Sequence, residues 1–134
     1  GLLKPSEGSV EIDNKNINKN LFHWQKKIGF IPQDIYMMDD TIESNIALGI
    51  EKEKIDKNKI EEIMKQTELD RGFDSQYKVG EHGNLLSGGQ KQKIGISRAL
   101  YNESKILIKE RCQKFYMAVL LILKISTYFH QFPI

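Results

Sequence analysis

The stretch from Asn84 to Leu100, NLLSGGQKQKIGISRAL, constrains this chain more than any other. Two adjacent glycines follow a serine. Behind them runs a basic segment with apolar residues at helical spacing, which predicts a helix of about four turns opening at Ser87. The first amides of a helix have no intrahelical acceptor, and the helix dipole adds partial positive charge there, so a phosphate is a natural guest. Gly88 and Gly89 carry no side chain to hold such a guest away. Ser87 can cap the helix and donate its hydroxyl, and Gln90 adds a neutral amide donor. A Ser-Gly-Gly hinge at the head of an amphipathic helix explains the same residues without a ligand, and the short string alone does not choose between the two.

The remaining residues read as strands alternating with helices. GLLKPSEGSVEID contains a helix end, a turn at Pro5, Ser6 and Gly8, and the start of a strand around Val10 and Ile12. NKNINKN, residues 14–20, is polar turn material, and IGFIPQD, residues 28–34, is a buried strand stopped by Pro32. Trp24, just before that strand, reads as a packing anchor. Thr41 can cap a short helix with Ile42, Ile46 and Ala47 on one side and Gly49 at its end. From Glu51 to Glu68, Ile55, Ile60, Ile63, Met64 and Thr67 recur at helical spacing and predict a solvated helix with one apolar stripe. DSQYKVGEHGNLL is a loop leading into the Ser-Gly-Gly helix, and KILI, residues 105–108, begins another buried strand. The 134 residues have room for one domain, and 40% hydrophobic with 28% charged residues is ordinary globular composition.

LSGGQ, followed by a basic residue, Gln, a basic residue and IGISRAL, resembles the signature motif of ATP-binding cassette (ABC) ATPases together with its helix. Five further stretches are similar to that family in the same order. GLLKPSEGSVEID resembles the segment after the family's first helix, and WQKKIGFIPQD the strand that ends in the Q-loop glutamine, here Gln33. IYMMDDTIESNIALG resembles the start of the helical subdomain of exporter-type cassettes, VGEHG the exporter X-loop, and RALYNESKILI the approach to the Walker B strand. Within the family, the likeness is greatest to exporters and flippases of lipid-linked saccharides or lipid A. The resemblance implies an α/β fold: a partial ABC-ATPase (P-loop NTPase) domain with the helical signature subdomain, lacking the Walker A segment and the end of the core. It covers residues 1–108 and leaves 109–134 as a divergent tail to which the sequence assigns no structure.

In the family two cassettes pair head to tail and sandwich two ATP molecules. By that likeness Ser87, Gly88, Gly89 and Gln90 face the γ-phosphate of a nucleotide bound to the partner cassette. Gln33 touches Mg²⁺ or the attacking water, and Glu81 lies near the transmembrane domain of an exporter. The resemblance thus implies ATP and Mg²⁺ as cofactors. It implies a second nucleotide-binding domain and a transmembrane domain as partners, and a place at the cytoplasmic face of a membrane. Each residue also has a plainer reading, Gln33 as a polar strand end and Glu81 as a solvated loop acid.

Two departures qualify the likeness. The family's phosphate loop, G-x-x-x-x-G-K-[S/T], would precede Gly1 and occurs nowhere in the 134 residues. Aligned through RALYNESKILI, Lys109 takes the last apolar place of Walker B, Glu110 the aspartate place and Arg111 the place of the catalytic glutamate. A cation at Arg111 cannot take a proton from water or favour a nearby Mg²⁺, and Lys109 puts a charge in a strand expected to be buried. The abrupt loss of resemblance after Ile108 reads as a changed reading frame or partial gene product. The chain alone is therefore expected neither to bind ATP tightly nor to hydrolyse it, and to fold poorly because core surface is left uncovered. The alternative reading is a non-catalytic interaction module, or gene remnant, that offers only its signature loop to an intact cassette.

Other classes find less support. Residues 76–134 hold nine Lys/Arg against three Asp/Glu, yet the aromatics there are scattered and no nucleic-acid partner is expected. His23, His82 and His130 lack metal-ligand spacing, and Cys112 has no partner for an internal disulfide. No charged-then-apolar leader is evident, and the longest apolar run, MAVLLIL, is far short of the roughly 20 residues a membrane crossing needs.

Overall fold

The structure is a computed structural model that describes residues 3–12, 14–109 and 118–121. Strands β1 (Glu11–Ile12) and β2 (Lys15–Asn16) form an antiparallel hairpin whose turn uses Asn14 at φ +59°, a conformation asparagine tolerates better than most residues. A 3₁₀ turn over Ile17–Asn20 leads into α1 (Leu21–Gln25). The polar stretch 14–20 is thus a strand and a helical turn as well as a loop. The side chains of Asn16 and Asn20 each accept a backbone amide, and so cap the 3₁₀ turn and α1 in that order.

Strand β3 (Ile28–Ile31) lies parallel to β4 (Ile106–Lys109), in register from Ile28 opposite Ile106 to Ile31 opposite Lys109. A parallel pair needs a crossover, and here it carries α2 (Ile42–Ile46), α3 (Lys57–Gln66) and α4 (Gly88–Tyr101). On the other side of β4, β5 (Ala118–Leu121) pairs antiparallel. Only one face of β3 is buried. Gly29 and Ile31 point to α4, while Phe30 is 61% exposed, contrary to the expectation of a fully buried strand. Trp24 is half-buried and outside the main core, so it is not the anchor its size predicted; no residue of α1 is buried.

The core sits among the three crossover helices and the inner face of β3. Ile42, Ile46, Ile60 and Ile94 are fully buried there, joined by Ile31, Met64, Leu69 and Val79. Thr41 caps α2 as expected, accepting the Ser44 amide. The expected helix over 51–68 is interrupted, since Lys52–Lys54 form a separate 3₁₀ turn and Ile55 is extended. Asp56 accepts the Lys59 amide and starts α3 anew, because a cap inside the run competes with continuous helix. Two glycines let α4 lie close on β3. A Cβ at Gly95 would come within 2.7 Å of Ile35 Cδ1, and one at Gly29 within 2.5 Å of Ala99 Cβ.

Candidate functional site

Helix α4 opens as its sequence demands. Ser87 is extended (φ −68°, ψ 161°) and its hydroxyl accepts the Gln90 amide at 3.3 Å, while Gln90 Oε1 accepts the Ser87 amide at 2.7 Å. This reciprocal capping box leaves the Gly88 and Gly89 amides, which have no intrahelical acceptor, as the donors at the tip. Ser87, Gly88 and Gly89 are exposed and Gln90 is half-buried. A Cβ at either glycine would meet nothing within 4 Å. At Gly29, Gly83 and Gly95 the neighbouring atoms leave no room for a Cβ; at Gly88 and Gly89 no such crowding occurs among the described residues. Each costs about 1 kcal/mol of helix propensity against alanine.

The preceding turn is bound to that helix. Gly80 (φ +75°), His82 (φ +52°) and Gly83 (φ +68°) coil the chain tightly enough for the Leu85 amide to reach Val79 O at 3.2 Å. Lys91 Nζ donates to His82 O at 3.0 Å, and Gly83 lies against Met37, its absent Cβ leaving space for that side chain. Glu81 is exposed at the outside of this turn. Residues 75–79 run beside the start of α2, with the Ile42 and Glu43 amides donating to Tyr77 O and Ser75 O, and the Val79 amide to Asp40 O.

Gln33 is exposed, just past the end of β3. The residues that bracket it, Ile31 and Ile35, pack at Gly95, roughly 10 Å along α4 from Gly88 at the helical rise. Gln33 thus follows β3 beside residues that pack at the Gly95 level of α4, while Ser87–Gln90 stand at the head of that helix. No group of three His, Cys, Asp or Glu that could hold a metal occurs among the described residues. His23 and His82 are exposed singly, and His130, Glu110, Arg111 and Cys112 lie outside the described residues. Lys109 does not carry the expected burial cost, since its Nζ swings out of β4 to Gln92 Oε1 at 2.9 Å.

Arg98 and Asn45 are the pair that sequence reasoning missed. Arg98 Nε donates to Asn45 O at 2.6 Å and Nη2 to Asn45 Oδ1 at 3.2 Å, with Met37 Sδ at 3.7 Å. Asn45, fully buried, also accepts the Met38 amide and donates to Met38 O and Thr41 O. Burial lowers the pKa of the Arg98 guanidinium. The signal was available: Arg98 stands four residues after Ile94 on the face that helical periodicity sends inward, where a cation needs partners.

Below α2, Asp40 is held under the ordinary carboxylate range, first by Lys52 Nζ at 2.8 Å and then by the Thr41 amide. A lowered folded pKa contributes stability above the unfolded value and loses it as pH falls through the folded one. The stability gap between wild type and Asp40→Asn is thus expected at neutral pH and should close below the carboxylate range, as denaturant midpoints against pH would show.

A profile of the ABC transporter family matches residues 1–109. The chain belongs to the ABC transporter family. It is similar to the ATP-dependent lipid A-core flippase of Cupriavidus metallidurans, at 33% identity over 78% of this chain and 19% of that protein. It is likewise similar to the mitochondrial ATP-dependent permease MDL2 of Saccharomyces cerevisiae, at 38% identity over 78% of this chain and 14% of the relative. Among solved structures, a bacterial Atm1-family ABC exporter with ATP bound matches 79% of this chain and 19% of its own, at 29% identity and a TM-score of 0.65. The chain thus spans about a fifth or less of the length of these relatives. This ABC chain carries its α/β core strands and helical signature subdomain in the arrangement the motifs implied. No helix among the described residues is long and apolar enough to cross a membrane.

Proposed function

We propose that residues 1–108 are the signature-bearing part of an exporter-type nucleotide-binding domain, and that 109–134 form a divergent tail. In this reading Ser87, Gly88 and Gly89 face the terminal phosphoryl of an ATP held by a second cassette. One observation carries it: two exposed glycines stand at a helix start where none of the described residues needs them, so the room they leave suits something outside.

Bound ATP would supply a scissile phosphoanhydride and a highly charged phosphate tail. The residues present fit that tail, because the Gly88 and Gly89 amides and the Ser87 hydroxyl are donors at the exposed tip. Ser87 Oγ accepts the Gln90 amide and still has its proton to donate to a ligand, beside the Gly88 and Gly89 amides. Donors fixed before charge develops need no reorganisation when it does. The residues present do not fit Mg²⁺ by themselves. Gln33 offers one neutral oxygen, and no group of three His, Cys, Asp or Glu accompanies it among the described residues. With no lysine-bearing phosphate loop in the 134 residues and Arg111 in the base position, the phosphate is presented from outside this chain and hydrolysis is not performed by it. Glu81, on the turn riveted to α4 by Lys91, would face a transmembrane domain, placing the assembly at the cytoplasmic side of a membrane.

The test is capture of the full chain by an immobilised, hydrolysis-deficient exporter cassette. Recovery is expected with ATP and not with ADP, and equal recovery in both would defeat the proposal. Gly89→Ala separates function from stability. It should raise the unfolding free energy by about 0.5 to 1 kcal/mol, because alanine is the better helix former and has space, yet reduce ATP-dependent recovery.

A further inference from the structure

We propose that Gln90 is a positioning residue that sets the donor tip of α4, and that it does so through its backbone partner instead of by touching phosphate. The inference rests on the proposed function, in which that tip faces a phosphoryl group. Its geometric basis stands apart from it.

A glutamine beside a phosphate-facing loop could use its amide nitrogen as one more donor. Here its oxygen is already committed. Oε1 takes the Ser87 amide at 2.7 Å, the shorter of the two capping contacts, and turns the side chain back along the chain toward the loop that precedes the helix. That contact fixes the Ser87 peptide just where the chain changes from extended to helical, and so fixes the direction of the next two amides. With the Gln90 amide donating to Ser87 Oγ, the hydroxyl oxygen is held at the helix start and its proton is free to be donated. Lys91, the next residue, anchors the same turn from the other side through His82 O at 3.0 Å. A Cβ at either of the two glycines that follow Ser87 would meet no atom within 4 Å, so no side-chain packing among the described residues adds to the restraint of the helix and its cap.

The two roles make opposite forecasts for Gln90→Ala and Gln90→Glu. Glutamate at the third helical position keeps the reciprocal cap, so a positioning role survives Gln90→Glu and is lost in Gln90→Ala. A direct donor role is lost in both, and the carboxylate, repelling phosphate, is the worse of the two. The experiment uses the full 134-residue chain. Amide hydrogen exchange is followed by NMR at Ser87, with Ile94 to Ala99 as an internal control for the helix. ATP-dependent recovery on the hydrolysis-deficient cassette is measured in parallel.

Exchange at Ser87 should quicken by about fivefold in Gln90→Ala, the effect of one lost hydrogen bond, and stay near wild type in Gln90→Glu, with the control amides unchanged. Recovery should fall in Gln90→Ala and be restored in Gln90→Glu. Unchanged Ser87 exchange in Gln90→Ala, or recovery lower in Gln90→Glu than in Gln90→Ala, would overturn the positioning role. A wild-type chain that is never recovered with ATP, while the exchange pattern holds, would instead overturn the phosphate-facing reading and leave the cap standing.

Discussion

Arg98→Ala is expected to lower the unfolding free energy of the α2–α3–α4 unit by about 2 to 4 kcal/mol. The guanidinium donates to both the backbone and the side-chain oxygen of Asn45, which is fully buried and already ties Met38 to Thr41. Removing the donor leaves Asn45 O without its 2.6 Å partner and opens a space beside Met37. An unmet buried acceptor costs about 1 to 3 kcal/mol, and lost packing adds to it. Arg98→Lys should recover only a small part, because a point ammonium cannot reproduce two donors set in a planar fork. The measurement is a denaturant midpoint for each variant, with amide exchange across α4 to localise the loss. A change below about 0.5 kcal/mol in Arg98→Ala would mean that the fork contributes nothing.

Gly29→Val should be as damaging, at about 3 kcal/mol, and for the opposite reason: excess volume instead of a missing partner. A Cβ there would lie 2.5 Å from Ala99 Cβ, 2.8 Å from Leu107 Cδ2 and 3.0 Å from Ser104 Oγ. Ala99 Cβ is fixed to the backbone of α4 and cannot yield without moving the helix off the sheet, and the added γ-methyls would also have to displace the Leu107 side chain of the neighbouring strand. Gly72→Ala is the matched control. No atom lies within 4 Å of its would-be Cβ, and it should leave the midpoint within about half a kcal/mol. Equal midpoints for the two variants would show that α4 is free to retreat from β3.

Much of this architecture was legible because its signals are local. The Ser87 cap, the fourteen-residue α4, the Thr41 cap and the halt of β3 before Pro32 depend on residues within a turn of one another. The break at Ile55 was missed although its cause is equally local, because an unbroken apolar stripe outweighed a competing cap at Asp56. Phe30 was misread for a different reason. A run of apolar residues states that a strand is greasy but not which of its faces meets a helix, and α4 covers only the face of Gly29 and Ile31. At the candidate site, the family resemblance named Ser87 to Gln90, Gln33 and Glu81. The Asn45–Arg98 fork and the Lys91 link to His82 O join residues that no motif pairs, and they arise only when the chain folds.

The rungs that fasten residues 75–79 to the head of α2 have a topological corollary. The segment from Ser44 to Asp74 thus has its two ends pinned side by side, and along it the stretch Glu51 to Lys54 is exposed, held by Lys52 to Asp40 and, among the described residues, by no hydrogen bond or ion pair to the head of α4. Added length there lengthens an already closed loop, and the entropy of closing it grows only with the logarithm of its size. A lineage, or an engineer, can therefore splice new sequence into that stretch while the serine and its two glycines keep their aim.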